Sequence, residues 1–500
     1  MPGVNITTAV RTGPVGTGDI VSRQVFMVGL AERGELEAPV LVRSFSDYTT
    51  YYGNYQGGNL YAHVKTFFDE GGSRCQVMRV LGNGGTAGRI ELKDAAGSAT
   101  MLIEAQNAGA WSDNLEVAVI QPDVAGFRLE FYLDGLMILR TRDLTSTNDG
   151  CKVINASDIH HLVEATDIAS STLNPDPAEN ADGDRTPLSG GLNGDPVETA
   201  DVLDAMERMS VNVGPGAVCA PGMSGEEIWD GLRNHADMNK RIALLSFPPG
   251  ESASAVKTSA SAYYADPYAK GMAFYWPHIK VPAPGVSELA TGVTSVQGST
   301  VTISPEAFAA GARAKAIQAA GGPWRAGAGI ISAATNIEDL AVDVTPAAGD
   351  ALDNARVNAL RKIGNSIRVY GARSASNDEA NWRYITQQDT LNFIVDGVET
   401  RMERYVFSTI DGRGGLFGRI RGSIKGFLDP IRVAGGLFEA YDDDGVLVDP
   451  GYAVIVNSDI NPATRLATGV VNAQIGVRVS GVADLIDIVI TKSNLSAPII

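Results

Sequence analysis

Two periods of hydrophobic and polar residues run through this chain. VFMVGL at residues 25–30 and CQVMRVL at 75–81 are short continuous apolar runs, which predict buried strands. Between them Leu60, Val64, Phe67 and Phe68 share one face of a predicted helix over 60–70, closed by Gly71 and Gly72. The alternation resumes near residue 197. A helix over 197–209 carries Val202, Leu203 and Met206 at core spacing, and a strand follows in VNVGPGAVCAPG. Ser224 and Glu227 then have the spacing of a capping box. RIALLSF, a helix over 253–264 and GMAFYW complete the series. Repeated βα units of this kind predict a largely parallel sheet covered by helices.

From 88 to 196 the period changes. RIELKD, TMLIEAQ, LEVAVIQ, FRLEFYLDG and LMILRTRDL are short alternating segments split by Gly, Asp and Asn. They predict an antiparallel β domain inserted into the α/β layer, with residues 174–194 as an exposed loop. In the last third, Leu391, Ile394, Val395, Val398 and Met402 stripe a helix over 388–404. A second helix over 416–428 turns Leu416, Ile420, Ile424 and Phe427 inward and is expected to end at Asp429-Pro430. A hairpin turn is predicted at 442–445.

The two ends of the chain read as strands without neighbours. Val4, Ile6, Thr8 and Val10 alternate ahead of a Gly/Pro/Thr stretch, and Leu485, Ile486, Ile488 and Ile490 form the final apolar segment. A lone strand leaves its N–H and C=O groups unpaired, so each must pair with something. The expected divisions are an extended N-terminal arm (1–24), an α/β core (25–87 and 197–370), the inserted β domain (88–196), a C-terminal α+β domain (371–480) and a C-terminal strand and arm (481–500).

Bulk properties narrow the function. The 500 residues suffice for several domains. Hydrophobic residues make up 44% and charged residues 20%, as in ordinary soluble proteins. The formal net charge of −18 disfavours nucleic-acid binding, which calls for a basic face. No apolar run approaches the roughly 18–20 residues of a membrane span, and the first residues lack the pattern of a secretory signal. The three cysteines form no disulfide framework. Their odd number leaves room for an intersubunit bridge; Cys75 and Cys219 are expected to be buried, and Cys151 to be the exposed thiol.

No reactive constellation stands out in the sequence. GNGGTAG (82–88) misses the G-x-G-x-x-G spacing and precedes strand-like sequence instead of a helix. Phosphate-loop, nucleophile-elbow and zincin motifs do not occur. Asp442, Asp443 and Asp444 before Gly445 lack the alternate ligand spacing of a calcium loop. The five histidines, among them the adjacent pair His160-His161, are scattered. The sequence predicts no catalytic residues, no metal site and no cofactor.

Longer motifs carry a positive signal. VFMVGLAERGELEAPVLVRSFSDYTTYYG, NLYAHVKTFFDEGGSRCQVMRV, AQNAGAWSDNLEVAV and LSGGLNGD occur in that order. They are followed by FYWPHIKV, ISPEAFAAGARAKAIQAAGGPWRAGAG, IRVYGARSASNDEANWRYI and TLNFIVDGVETRMERYVFSTID…LFGRIRGSIKGFL. In this text the chain resembles the contractile-tail sheath proteins of bacteriophages and related injection particles, from about residue 25 to 480. One departure is Gln318, where many relatives carry an acid.

The resemblance implies a structural subunit, not an enzyme, that needs no cofactor. Its expected partners are further copies of itself in a helical homo-oligomer of stacked hexameric rings, the inner tail tube protein, and baseplate and tail terminator proteins. Direct nucleic-acid contact and membrane insertion are not expected. The expected location is a virion tail or phage-like particle, assembled in the host bacterial cytoplasm. The two arms would add strands to a small sheet in a neighbour's C-terminal domain. The basic cluster Arg413, Arg419, Arg421 and Lys425 is a candidate tube-facing surface, the competing reading being a solvated helix face. Another tail or baseplate structural protein is the alternative function, and an unrecognised α/β enzyme a remote third.

Overall fold

A computed structural model describes residues 21–122, 126–168, 173–209 and 213–484. The predicted arm strands, Val4 to Val10 and Leu485 to Ile490, lie outside the described residues. The first apolar runs form β1 (Val25–Gly29), β2 (Val40–Val42) and β3 (Cys75–Arg79), with α1 (Phe45–Tyr52) and α2 (Leu60–Asp69) between the last two strands. β1 and β3 run parallel, and every residue of both is buried.

The inserted segment folds around its own core. It comprises β4 (Arg89–Lys93), β5 (Ala99–Ala105), β6 (Leu115–Ile120), β7 (Arg128–Leu133), β8 (Leu136–Arg140), α3 (Thr147–Asn155), β9 (Val163–Asp167) and β10 (Thr186–Pro187). Two antiparallel sheets, β4-β5-β9 and β10-β6-β7-β8, enclose Met101, Ile103, Phe127, Leu129 and Phe131. The segment expected to be a free loop is strapped down at its end. β10 pairs with β6, and Leu188 is buried in the core. Cys151, expected to be exposed, is half-buried because its helix packs on this core. Arg79 of β3 ties the insertion to the main sheet. Its guanidinium donates to the carbonyls of Ala31 (3.1 Å), Glu32 (3.2 Å), Gly34 (3.3 Å) and Ala108 (2.7 Å).

The chain then completes the main sheet. Its elements are α4 (Thr199–Arg208), β11 (Gly216–Cys219), α5 (Glu226–Met238), β12 (Arg241–Ser246), α6 (Ala253–Ser261), β13 (Met272–Trp276), β14 (Ile279–Pro282), β15 (Thr300–Ile303), α7 (Glu306–Ala320), β16 (Asp339–Leu340), α8 (Pro346–Asn354), β17 (Val357–Ile363) and β18 (Ser366–Tyr370). The eight strands lie in the order β18-β17-β13-β12-β11-β1-β3-β2, with parallel pairing from β17 through to β3. Alternate residues supply two apolar layers, as strand periodicity requires. Val25 and Met27 face α1, α2 and α7, whereas Phe26 and Val28 face α4, α5 and α6. The predicted capping box is not formed. Burial of Ile228, Trp229 and Leu232 sets the helix start at Glu226, so Gly225 is the N-cap and Ser224 falls outside.

The C-terminal lobe holds α9 (Ile385–Met402), α10 (Gly415–Val433), β19 (Ala440–Tyr441), β20 (Leu447–Asp449), β21 (Tyr452–Ile455), α11 (Ala463–Leu466) and β22 (Gln474–Val477). Two expectations change here. α10 does not end at Asp429-Pro430. It continues one turn because Ile431 is buried in the lobe's core and Arg432 bonds Glu439 at 2.7 Å. Of the α9 stripe only Ile394 is fully buried, while Leu391, Val395, Val398 and Met402 are half-buried. The first turns of α9 instead bury Thr386, Asp389, Thr390 and Asn392 against the main domain.

A candidate assembly surface on the C-terminal lobe

α10 begins with an acidic cap. The Asp411 carboxylate accepts the backbone N–H groups of Arg413 (2.9 Å), Gly415 (2.9 Å) and Leu416 (3.1 Å). These bonds, the one from Gly415 foremost, hold its pKa below the usual carboxylate value. A negative charge here also complements the helix dipole. Leu416, Ile420, Ile424, Phe427, Leu428 and Ile431 fix the inner face. One row along the outer face carries no side chains. Gly418, Gly422 and Gly426 follow each other at i, i+4 spacing, and a Cβ on any of them would meet nothing within 4 Å.

Three of the four predicted tube-facing residues border this glycine track. Arg419, Arg421 and Lys425 are exposed on α10, and Arg413 is exposed in the loop before it. None of the four lies within 4 Å of a carboxylate oxygen of the described residues, although the charge of Arg419 helps to lower the Asp411 pKa. In a chain with 58 acidic and 40 basic residues, cations grouped on one surface mark a local reversal of the field.

Behind α10, β21 and β22 form a two-stranded antiparallel sheet. Its inner face includes Tyr452, Val454, Ile475 and Val477, which pack on the helix; Ala453, Ile455, Gln474 and Gly476 are exposed. The hydrogen-bond phase identifies its free edges. Arg478 N–H donates to the Gly451 carbonyl (2.7 Å), Phe438 N–H to the Arg478 carbonyl (2.7 Å), and Ser480 N–H to the Gly436 carbonyl (3.2 Å). The even-numbered residues of 474–480 therefore direct their backbone groups towards β21 and 436–438. Antiparallel alternation turns those of Ile475, Val477 and Val479 to the opposite edge. By the same alternation the backbone groups of Tyr452 and Val454 point to the outer edge of β21. No third strand of the described residues covers either edge. The pattern was available in YAVIVN and QIGVRV, whose apolar residues alternate, but both segments are short.

The buried titratable groups lie elsewhere. Glu306, the first residue of α7, bonds Ser246 Oγ at 2.5 Å, and burial pushes its pKa up to about 7. His63 Nε2 lies 2.9 Å from Ser304 Oγ, which also accepts Gly222 N–H at 2.7 Å. Burial lowers His63 to about 4. His63, Ser304 and Glu306 are all enclosed within the α/β body. The Gly-rich run 82–88 packs against 194–195 so closely that a Cβ on Gly82 would collide with the Asp195 carbonyl. Among the described residues no cluster of His, Cys, Asp and Glu is arranged to hold a metal, and no helix is long and apolar enough to cross a membrane.

No family model and no curated protein matches the sequence. Solved structures do match the fold. The sheath tail protein Lin1278 from Listeria innocua superposes with a TM-score of 0.60 at 13% identity, covering 87% of this chain and 89% of that one. A chain from the anti-feeding prophage baseplate in the contracted state gives 0.57 at 16% identity, over 98% of each chain. A chain of the contracted PVC sheath complex, an extracellular contractile injection system, gives 0.53 at 16% identity, over 97% of this chain and 99% of that one. The architecture is thus the α/β, multidomain fold of tail sheath proteins and contractile injection systems.

Proposed function

We propose that this chain is the structural subunit of a contractile tail sheath. It polymerises helically around an inner tube and contracts to drive that tube through a target cell envelope. The observation that carries this reading is the match of nearly the whole chain to chains of contractile sheaths and baseplates. The open-edged sheet of the C-terminal lobe supports it. Segments 1–20 and 485–500 are the proposed donors, each adding a strand to a neighbour's β21–β22 sheet by main-chain pairing. Twenty extended residues reach at most about 66–72 Å, enough to cross to an adjacent subunit. Contraction then draws its free energy from the more extensive subunit interfaces of the compact state, and the exchanged strands keep the lattice connected.

The proposed partners are further copies of this chain, the inner tube, and baseplate and terminator proteins of a virion tail or phage-like particle. The exposed cations Arg413, Arg419, Arg421 and Lys425 suit an acidic tube wall. Electron microscopy of the purified protein tests the assignment: hollow striated cylinders of uniform width are expected. Deletion of Met1 to Ile20 should leave folded subunits that form no long cylinders, and normal cylinders would overturn the arm-exchange model. Arg421→Glu with Lys425→Glu should abolish tube binding while sparing self-assembly. A second reading, a baseplate subunit, is favoured by the match to an anti-feeding prophage baseplate chain. It predicts closed rings or discs in place of open-ended cylinders.

A further inference from the structure

Phe407 is 93% exposed in the loop between α9 and α10, with a backbone φ of +62°. Bulky residues seldom adopt this left-handed conformation, and such outliers persist where the surroundings impose them. Here the loop is fixed on both sides. Val406 N–H donates to the Glu403 carbonyl (3.2 Å) and Ser408 N–H to the Tyr405 carbonyl (3.1 Å). Tyr405 and Ile410 pack into the lobe's core, and the Tyr405 hydroxyl donates to the Arg419 carbonyl at 3.3 Å. A held loop presenting a bare aromatic ring has the form of an interface anchor. Arg404, three residues before it, is exposed and has no carboxylate partner among the described residues.

The same chain carries a matching hollow. A surface groove of about 310 Å³ lies between α2 and β14, lined by Tyr61, Lys65, Val281, Pro282, Ala283 and Glu288 among others. A cavity of ~150 Å³ already holds a benzene ring, so a phenyl group fits. Glu288 accepts the Tyr61 hydroxyl at 3.0 Å and Gly285 N–H at 2.7 Å, but no cation of the described residues pairs with it. The ring thus has a cation beside it, and the groove an acid on its rim.

We infer that Phe407 seats in the α2–β14 groove of a second copy of this chain, with Arg404 directed to Glu288. This rests on the sheath reading and assigns one of its subunit contacts. Anchor and groove are different patches, so the contact is head-to-tail. It builds rings or open helices and does not close on itself as a two-fold dimer.

The test compares full-length wild type with Phe407→Ala, by electron microscopy and by sedimentation over a concentration series. Phe407→Ala should raise the concentration needed for cylinders at least tenfold with an unchanged monomer Tm. Ala283→Phe, which fills the groove, should do the same, and the double variant should be no worse than either single one. Assembly of Phe407→Ala at the wild-type concentration overturns the contact. So does a further tenfold loss in the double variant, since independent effects mean that the two sites do not meet. Absence of wild-type cylinders counts against the sheath reading, and the contact is then judged by sedimentation. Wild-type self-association lost in Phe407→Ala supports it; a wild type monomeric at every concentration overturns it.

Discussion

Arg313 of α7 and Asp389 of α9 form a buried two-pronged ion pair, with Nε 2.7 Å from Oδ2 and Nη2 2.8 Å from Oδ1. It fastens the base of α9, and with it the C-terminal lobe, to the main sheet. Asn392 extends the joint by donating to the Arg241 carbonyl at 3.0 Å. Truncating one partner leaves a buried charge alone, so Asp389→Ala should destabilise by about 3–5 kcal/mol. Denaturant unfolding of the monomer checks this. A fall in midpoint no larger than that of an exposed-site control would mean that the joint tolerates an isolated guanidinium.

The enclosed Glu306 gives a pH dependence of defined sign. Its pKa rises from 4.5 to about 7, chiefly through burial. Folding therefore favours its protonated form. The associated stability is complete below pH 4.5 and lost as pH rises through 7. Glu306→Gln does not titrate, so its advantage over wild type should grow across that window to roughly 3 kcal/mol. His63, lowered to about 4, acts in the opposite sense, losing stability as pH falls from 6.5. It is present in both proteins and cancels in the comparison. Thermal melts of the two at pH 4.5 and pH 8 decide the matter, and parallel curves would refute the assignment.

The glycine track of α10 separates helix stability from assembly. Glycine within a helix costs about 1 kcal/mol relative to alanine, and Gly422 has open space around it. Gly422→Ala should therefore raise the monomer's stability by about that amount. If the track serves close approach to an inner tube, the same change should weaken tube binding. Stabilisation with unimpaired binding would leave the glycines without an assembly role.

What could be read from the sequence follows from where each partner lies. β1, β3, β12 and β13 are buried on both faces, so their apolar runs announce themselves. The inward face of α10 follows from its own period. The buried side of α9 does not, because Thr386, Asp389, Thr390 and Asn392 look like a solvent face until Arg313 and the Arg241 carbonyl are brought to them from far along the chain. Pro430 is a local stop signal overridden by the burial of Ile431. The exposed Arg419, Arg421 and Lys425 sit where helical spacing puts them. Phe407 sent no signal, since loop closure sets its conformation.

Asp484 bears on how the chain leaves the C-terminal lobe. After pairing with 436–438, the backbone returns to the base of α9. There the Asp484 carboxylate meets Arg383 Nη2 at 3.1 Å and Arg373 Nη2 at 3.5 Å. Partial burial alone would raise its pKa, but the Tyr384 hydroxyl, Arg383 and Arg373 together hold it below the usual value. At 41% side-chain exposure the ion pair is screened, and its loss should cost no more than about 1 kcal/mol. Its effect on assembly should be larger, because Asp484 sets the direction in which the proposed donor segment departs. Asp484→Ala should thus melt within a few degrees of wild type yet form fewer and shorter cylinders, with Asp484→Glu restoring them in part. Cylinders of wild-type length and number from Asp484→Ala would show that the donor segment finds its neighbour without this pin. Strand pairing alone would then direct the exchange.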